Sequence, residues 1–168
     1  MFTTRNPVDQ SIIQHYQTLT KVELELVIHS AQEAQHSWRA TSIADRKLIL
    51  GRLGNLISSK KQEYARLITL EMGKVLPESI VEIQKCKTIC DFLVQNLDHL
   101  LLPKEVERTG ERAYVRFDPL GGVLGIMPWN FPFWQVFRFA LPALSAGNAV
   151  FLKHAPNTLG CGEALQDL

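Results

Sequence analysis

A chain of 168 residues that is 46% hydrophobic can bury one sizeable core, so a single domain, or one domain with an appendage, is expected. Its 18 Lys and Arg against 17 Asp and Glu leave a formal charge of +1, and no run of like charge marks a surface for nucleic acid or anionic lipid. The opening MFTTRNPVDQ has no apolar stretch after Arg5, and no later apolar run would span a bilayer. The expectation is a soluble, cytoplasmic protein with neither nucleic acid nor membrane as a partner.

In chain order, Asn6-Pro7-Val8-Asp9-Gln10 is a turn signal next to a β-leaning stretch, Ser11 to Tyr16, which predicts a short hairpin or a lone strand. From Val22 to Trp38 the residues Val27, Ala31, Ala34 and Trp38 recur at helical spacing. Thr41-Ser42 before Asp45 resembles a capping box and starts a second helix, with Leu48, Ile49, Leu53, Leu56 and Ile57 as its apolar stripe. A third helix carries Tyr64, Leu67 and Ile68 and stops at Gly73. A fourth starts near Pro77 and runs past Val81, Cys86, Cys90, Leu93 and Leu97 to about Leu101.

Cys86 and Cys90 share a helical face with no histidine near them in sequence. They predict buried thiols, and no metal site is expected. His29, His36 and His99 lie on these helices as lone histidines, expected to be solvated or bonded locally rather than ligands.

Pro103 ends the helical region. Residues 111 to 118 alternate, with Ala113, Val115 and Phe117 on one side and Arg112, Tyr114 and Arg116 on the other; after the Thr109-Gly110 turn this predicts a half-exposed antiparallel strand. From Gly121 the pattern becomes a continuous apolar run, as in a parallel strand buried on both faces. The helix after Pro132 carries Phe133, Trp134, Val136, Phe137, Ala140 and Leu141, kinks or restarts at Pro142 and stops near Gly147. Ala149 to Leu152 is the next strand, which makes a right-handed parallel unit. Asn157 and Thr158 are cap-like residues before a last helix.

The segment Pro128-Trp129-Asn130-Phe131-Pro132 puts a carboxamide at a strand-to-helix junction, where open α/β sheets bind ligands. Such an N–H can donate to a carbonyl oxygen as it becomes an oxyanion, an effect of roughly 3 kcal/mol on the barrier. Alternatively Asn130 caps the helix that Pro132 begins. Spacing alone does not choose between them.

Asn6-Pro7, Trp38-Arg39, Glu71-Met72-Gly73-Lys74, Asp118-Pro119-Leu120-Gly121, Pro128 to Pro132, Ala146-Gly147-Asn148 and Leu152-Lys153 together resemble, in order and spacing, the aldehyde dehydrogenase superfamily. The runs NFPFWQVFR, from Asn130, and LKHAPNTLG, from Leu152, look most like bacterial succinate-semialdehyde dehydrogenases. The resemblance implies an α/β fold with three parts. Residues 1–103 would be the N-terminal strand region and helical layer, 104–120 a β-hairpin belonging to an oligomerisation element, and 121–168 the start of a Rossmann-type parallel sheet. It further implies NAD or NADP as cofactor, a small aldehyde as substrate and a homo-oligomer.

Carried over by residue, the resemblance makes Asn130 the catalytic oxyanion amide. Ile126, Met127, Pro128 and Trp129 would line the nicotinamide side of the cofactor cleft, with Lys153, His154, Ala155 and Pro156 at the adenosine side. Many NAD-dependent members carry a glutamate where this chain has Pro156. A carboxylate there would repel a 2′-phosphate, so its absence leaves NADP open. Arg138 follows Asn130 by eight positions, roughly 12 Å along a helix axis, and its side chain leans back toward the amide. The resemblance assigns it to a substrate carboxylate, for which a planar fork is suited; the alternative is an arginine reaching solvent.

The family's nucleophilic cysteine and general-base glutamate match no residue here and are expected beyond Leu168, so this chain alone is expected to be inactive. Cys161 is not expected to replace the nucleophile. Two rival readings are a dehydrogenase for another short or aromatic aldehyde, and a non-catalytic assembly module pairing through the strand around Tyr114. Exposed sheet edges lead to an expectation of self-association.

Overall fold

A computed structural model describes residues 1–107 and 109–168. Strands β1 (Phe2–Arg5) and β2 (Ile12–Tyr16) form the predicted hairpin, paired antiparallel from Phe2–Tyr16 to Arg5–Ile12. Its turn is closed by local polar groups: the Asn6 carboxamide oxygen accepts the Val8 N–H, and an Asp9 carboxylate oxygen accepts that of Ser11.

Four helices follow, α1 (Lys21–Arg39), α2 (Ile43–Ser59), α3 (Lys61–Met72) and α4 (Leu76–Leu101). Ser42 is the N-cap of α2 and accepts the Asp45 N–H, as its position before Asp45 predicts. Gly73 ends α3 at φ 76°, a left-handed backbone that a Cβ would oppose.

The core lies where α2, α3 and α4 meet. Ile57, Ile68, Ile83, Cys86 and Cys90 are fully enclosed there, and Phe133, Phe137 and Leu141 enter from a fifth helix. Those three recur every fourth residue, one stripe of a helix face, and the Phe133 ring lies 5.0 Å from that of Tyr64.

The apolar stripe predicted for α2 is only partly the packed one. Ile57 is buried and Leu53 packs on the core, but Leu48 is 56% exposed and Ile49 and Leu56 are also open; the inward positions are Arg46, Leu50, Gly54 and Ile57. A small residue and a charged one occupy the true face, and an apolarity count passes over both. In α1 only Gln35 is buried and Val27 is exposed, since that helix reaches the rest of the chain mainly through its last turns.

Beyond α4, β3 (Lys104–Val106) pairs antiparallel with β4 (Ala113–Val115). The strand predicted over 111–118 is thus confined to three residues; Tyr114 and Val115, on its opposite faces, and Phe117 beyond its end are all exposed.

The last unit is β5 (Gly122–Ile126), α5 (Trp134–Ser145), β6 (Ala149–Lys153) and α6 (Leu159–Gln166), with β5 and β6 parallel in the register Gly122–Ala149 to Ile126–Lys153. Gly125 lets α5 press onto the sheet, since a Cβ there would lie 2.3 Å from the Phe139 ring. The two-faced burial predicted for β5 does not occur. Leu124 is 60% and Ile126 69% exposed, because α1 covers only the start of that face and the described sheet has two strands.

The helical layer grips α5 at both ends with charges that suit its dipole. At its N-terminus a Glu82 oxygen accepts the Phe133 and Trp134 N–H groups, at 2.9 and 3.1 Å. At its C-terminus the Arg46 guanidinium donates to Ser145 O, while Trp38 Nε1 donates to Leu144 O and Gln35 Nε2 to Gly147 O. Helix α6 is held likewise: the two Glu71 oxygens accept the Gly160 and Cys161 N–H groups, both at 2.8 Å. Thr158 stands at the cap position there, but its side chain makes no cap bond, so the capping predicted from Asn157 and Thr158 passes to a carboxylate about ninety residues away.

Candidate active site

The strand ends Ile126 and Lys153 lie side by side in the register, and the Met127 N–H continues the ladder to Lys153 O at 3.0 Å. Two loops leave from there, one through Pro128 to Pro132 into α5, the other through His154 to Thr158 into α6.

The buried His154 imidazole joins them. It accepts the Ala155 N–H at Nδ1, 2.8 Å away, so Nε2 carries the proton and donates to Pro132 O at 2.9 Å. The Thr158 hydroxyl lies 3.0 Å from Nδ1. Burial is the main cause that holds this imidazole below its ordinary pKa. Its ring is therefore fully occupied within the fold, and any contact of His154 with a ligand falls to its backbone. Ala155 is also buried.

The first loop is fastened by Lys74. Its ammonium donates to Asn130 O at 2.9 Å, pairs with the second Glu82 oxygen, and lies 3.9 Å from the centre of the Phe131 ring. Both charged side chains are nearly or wholly excluded from solvent, at 8% and 0% exposure.

With Glu82 serving the amide groups at the start of α5, Asn130 is not its cap. The Asn130 carboxamide is exposed and makes no hydrogen bond with any described residue. Ile126, Pro128 and Trp129, just before it in the chain, are exposed, Met127 is half-buried, and Lys153 and Pro156 are exposed at and beyond the end of β6. Arg138, the fifth residue of α5, is exposed and forms no ion pair with a described residue. The hollow of about 960 Å³ in the β3–β4 hairpin, beside Glu105, Arg112, Tyr114 and Arg116, lies away from this chemistry.

All three thiols are buried. Burial pushes Cys90 up to about 12, and burial followed by the nearby carboxylates raises Cys86 (Glu82) and Cys161 (Glu71) further. No group of three or more His, Cys, Asp or Glu side chains among the described residues is placed to hold a metal, and no helix among them is long and apolar enough to cross a membrane.

The sequence reading missed Glu82. The signal was available: Ser79, Glu82, Ile83, Cys86 and Cys90 share one face of α4, and a carboxylate in such a stripe needs partners.

The profile of the aldehyde dehydrogenase family matches residues 1–168. The chain belongs to the aldehyde dehydrogenase family. Among its relatives is a Synechocystis sp. protein described as "probable succinate-semialdehyde dehydrogenase [NADP(+)]", 38% identical over 98% of this chain and 36% of its own length. The chain thus spans about a third of the curated relatives it matches.

Two solved structures extend the comparison. The Streptococcus pyogenes succinic semialdehyde dehydrogenase in complex with NADP+ superposes with a TM-score of 0.95 at 26% identity, over 99% of this chain and 37% of that one. A NAD-dependent benzaldehyde dehydrogenase from Corynebacterium glutamicum gives 0.86 at 28% identity, over 95% of this chain and 35% of that one. The helical layer and the first parallel strands therefore have the aldehyde dehydrogenase fold.

Proposed function

We propose that these residues form part of an NAD(P)-dependent aldehyde dehydrogenase that oxidises succinate semialdehyde to succinate. The observation that carries this reading is the unengaged Asn130 carboxamide, left over at a strand-to-helix junction because Glu82 does the capping. Its N–H donates to the aldehyde oxygen as negative charge develops there, which lowers the barrier by roughly 3 kcal/mol.

The two loops that leave the neighbouring strand ends would hold a dinucleotide: Ile126, Met127, Pro128 and Trp129 its nicotinamide end, and Lys153 with His154, Ala155 and Pro156 its ribose end. When bound, it supplies the hydride acceptor. The exposed Lys153 ammonium makes no ion pair with a described residue, and Pro156 presents no carboxylate against a 2′-phosphate, in keeping with the NADP named for the relatives.

Arg138 takes the distal carboxylate of the substrate through its planar fork. The three buried, protonated thiols supply no nucleophile, so the 168 residues by themselves are inactive. Within a cytoplasmic homo-oligomer, the exposed β3–β4 hairpin is the element that meets another subunit. The similarity to a benzaldehyde dehydrogenase favours one second reading, an uncharged aromatic aldehyde.

The Arg138→Leu variant of the full-length enzyme separates these readings. A lost charge-assisted pair of about 1.5–3 kcal/mol raises KM for succinate semialdehyde about 10- to 100-fold and leaves KM for benzaldehyde unchanged. An unchanged KM for succinate semialdehyde refutes the assignment.

A further inference from the structure

We propose that Lys74, held by Glu82, is a positioning residue for Asn130, a proposal that rests on the reading of Asn130 as the oxyanion donor. The loop from Pro128 to Pro132 lies outside both helix and sheet, so contacts from other elements must set its shape. Contacts flank Asn130 on both sides: the Met127 N–H on Lys153 O before it, and His154 on Pro132 O with Glu82 on the Phe133 and Trp134 N–H groups after it. Between them the loop carries two hydrogen bonds among the described residues, the first turn of α5 reaching back from the Gln135 N–H to Phe131 O and Lys74 Nζ donating to the carbonyl of Asn130 itself, and the second is the one that comes from the helical layer.

That carbonyl matters more than its neighbours. Its peptide plane turns about the Cα–C bond of Asn130, so pinning it restrains that residue's ψ and with it the direction of the Cα–Cβ bond that carries the carboxamide. The Phe131 ring under the same ammonium pins the far side of the same peptide. Lys74 is aimed from below by Gly73, whose left-handed backbone turns the chain out of α3, and by Glu82, which uses one oxygen on Lys74 and the other on the α5 amides. A single carboxylate thus ties the donor loop and the helix after it to one origin, the buried face of α4. Catalytic geometry is sensitive to this: a displacement of about 1 Å can cost on the order of 100-fold in rate.

The test uses the full-length dehydrogenase. Lys74→Met keeps the stem and removes the donor, and kcat falls about 10-fold or more while KM for the dinucleotide stays within about twofold. Lys74→Arg, which retains a donor, recovers part of the loss. The decisive variant is Lys74→Met/Asn130→Ala: if Lys74 acts through Asn130, the double variant is no slower than Asn130→Ala alone, whereas losses that multiply overturn the proposal. Glu71→Gln removes a comparable buried carboxylate that does not touch the loop, and it lowers stability with kcat unchanged; a kcat loss equal to that of Lys74→Met would show a merely structural role and overturn the proposal.

If Lys74→Met does not fold, Lys74→Met/Glu82→Gln keeps an acceptor for the Phe133 and Trp134 N–H groups, leaves no unpaired charge, and carries the same expectation. Wild-type kcat in Asn130→Ala refutes the reading of Asn130 itself, an outcome separate from any result at Lys74.

Discussion

Replacing Glu82 by leucine tests the claim that one buried carboxylate joins the helical layer to the strand-to-helix junction. In the native chain it is fully enclosed, pairs with an ammonium that is 8% exposed, and accepts two backbone N–H groups. Removing one member of a buried pair leaves the other charged and unsolvated, which costs about 3–5 kcal/mol. Removing both charges in Lys74→Met/Glu82→Leu leaves the two amide groups without an acceptor, a loss of about 2 kcal/mol, and releases the exposed Asn130 carbonyl to water. The double variant is therefore expected to be about 2 kcal/mol more stable than Glu82→Leu, although it carries one more substitution. At about 2–4 °C per kcal/mol for a chain of this size, Glu82→Leu melts roughly 10 °C below the native protein and the double variant about halfway between. Calorimetry with urea titration followed by circular dichroism reads both quantities. A cost below about 1 kcal/mol for Glu82→Leu, or a double variant no more stable than it, would refute the reasoning.

Acid should loosen the same junction through His154. Its folded pKa lies below the ordinary imidazole value, so between the two the unfolded chain binds more protons; the stabilisation is complete above about pH 6.5 and is lost as pH falls toward the folded pKa, at no more than about 1.4 kcal/mol per unit. The urea midpoint should fall between about pH 7.5 and 5.5, and His154→Gln should flatten that slope; an equal slope in the variant counts against the assignment. Thiol reactivity gives a further check. Cys86, Cys90 and Cys161 should resist an aromatic disulfide reagent in the native chain at mildly alkaline pH and react together in urea, and one fast native thiol would contradict their burial.

Much of the fold can be read locally. The hairpin after Phe2, the stop at Gly73, the Ser42 start of α2 and the β5-α5-β6 order all come from neighbouring residues whose spacing matches a strand or helix period. Burial was less legible at Leu48 and Leu124, because periodicity shows which residues share a face but not how much of that face a partner covers. The site divides in the same way. Asn130, Lys153 and Arg138 stand out by type and place, since strand ends and helix starts are local features.

What the sequence alone determined about this protein is the set of elements, their order and their family. Only the tertiary structure decided who satisfies the helix ends. Near α5 and α6 the sequence offers Asn130, Asn157 and Thr158 as caps, yet the amide groups are taken by Glu82 and Glu71 and the far end of α5 by Arg46. A helix terminus needs acceptors or donors without regard to their distance along the chain, and a buried charge needs partners wherever packing brings them. Those two needs met across the interface between the helical layer and the sheet, which left the Asn130 carboxamide unengaged.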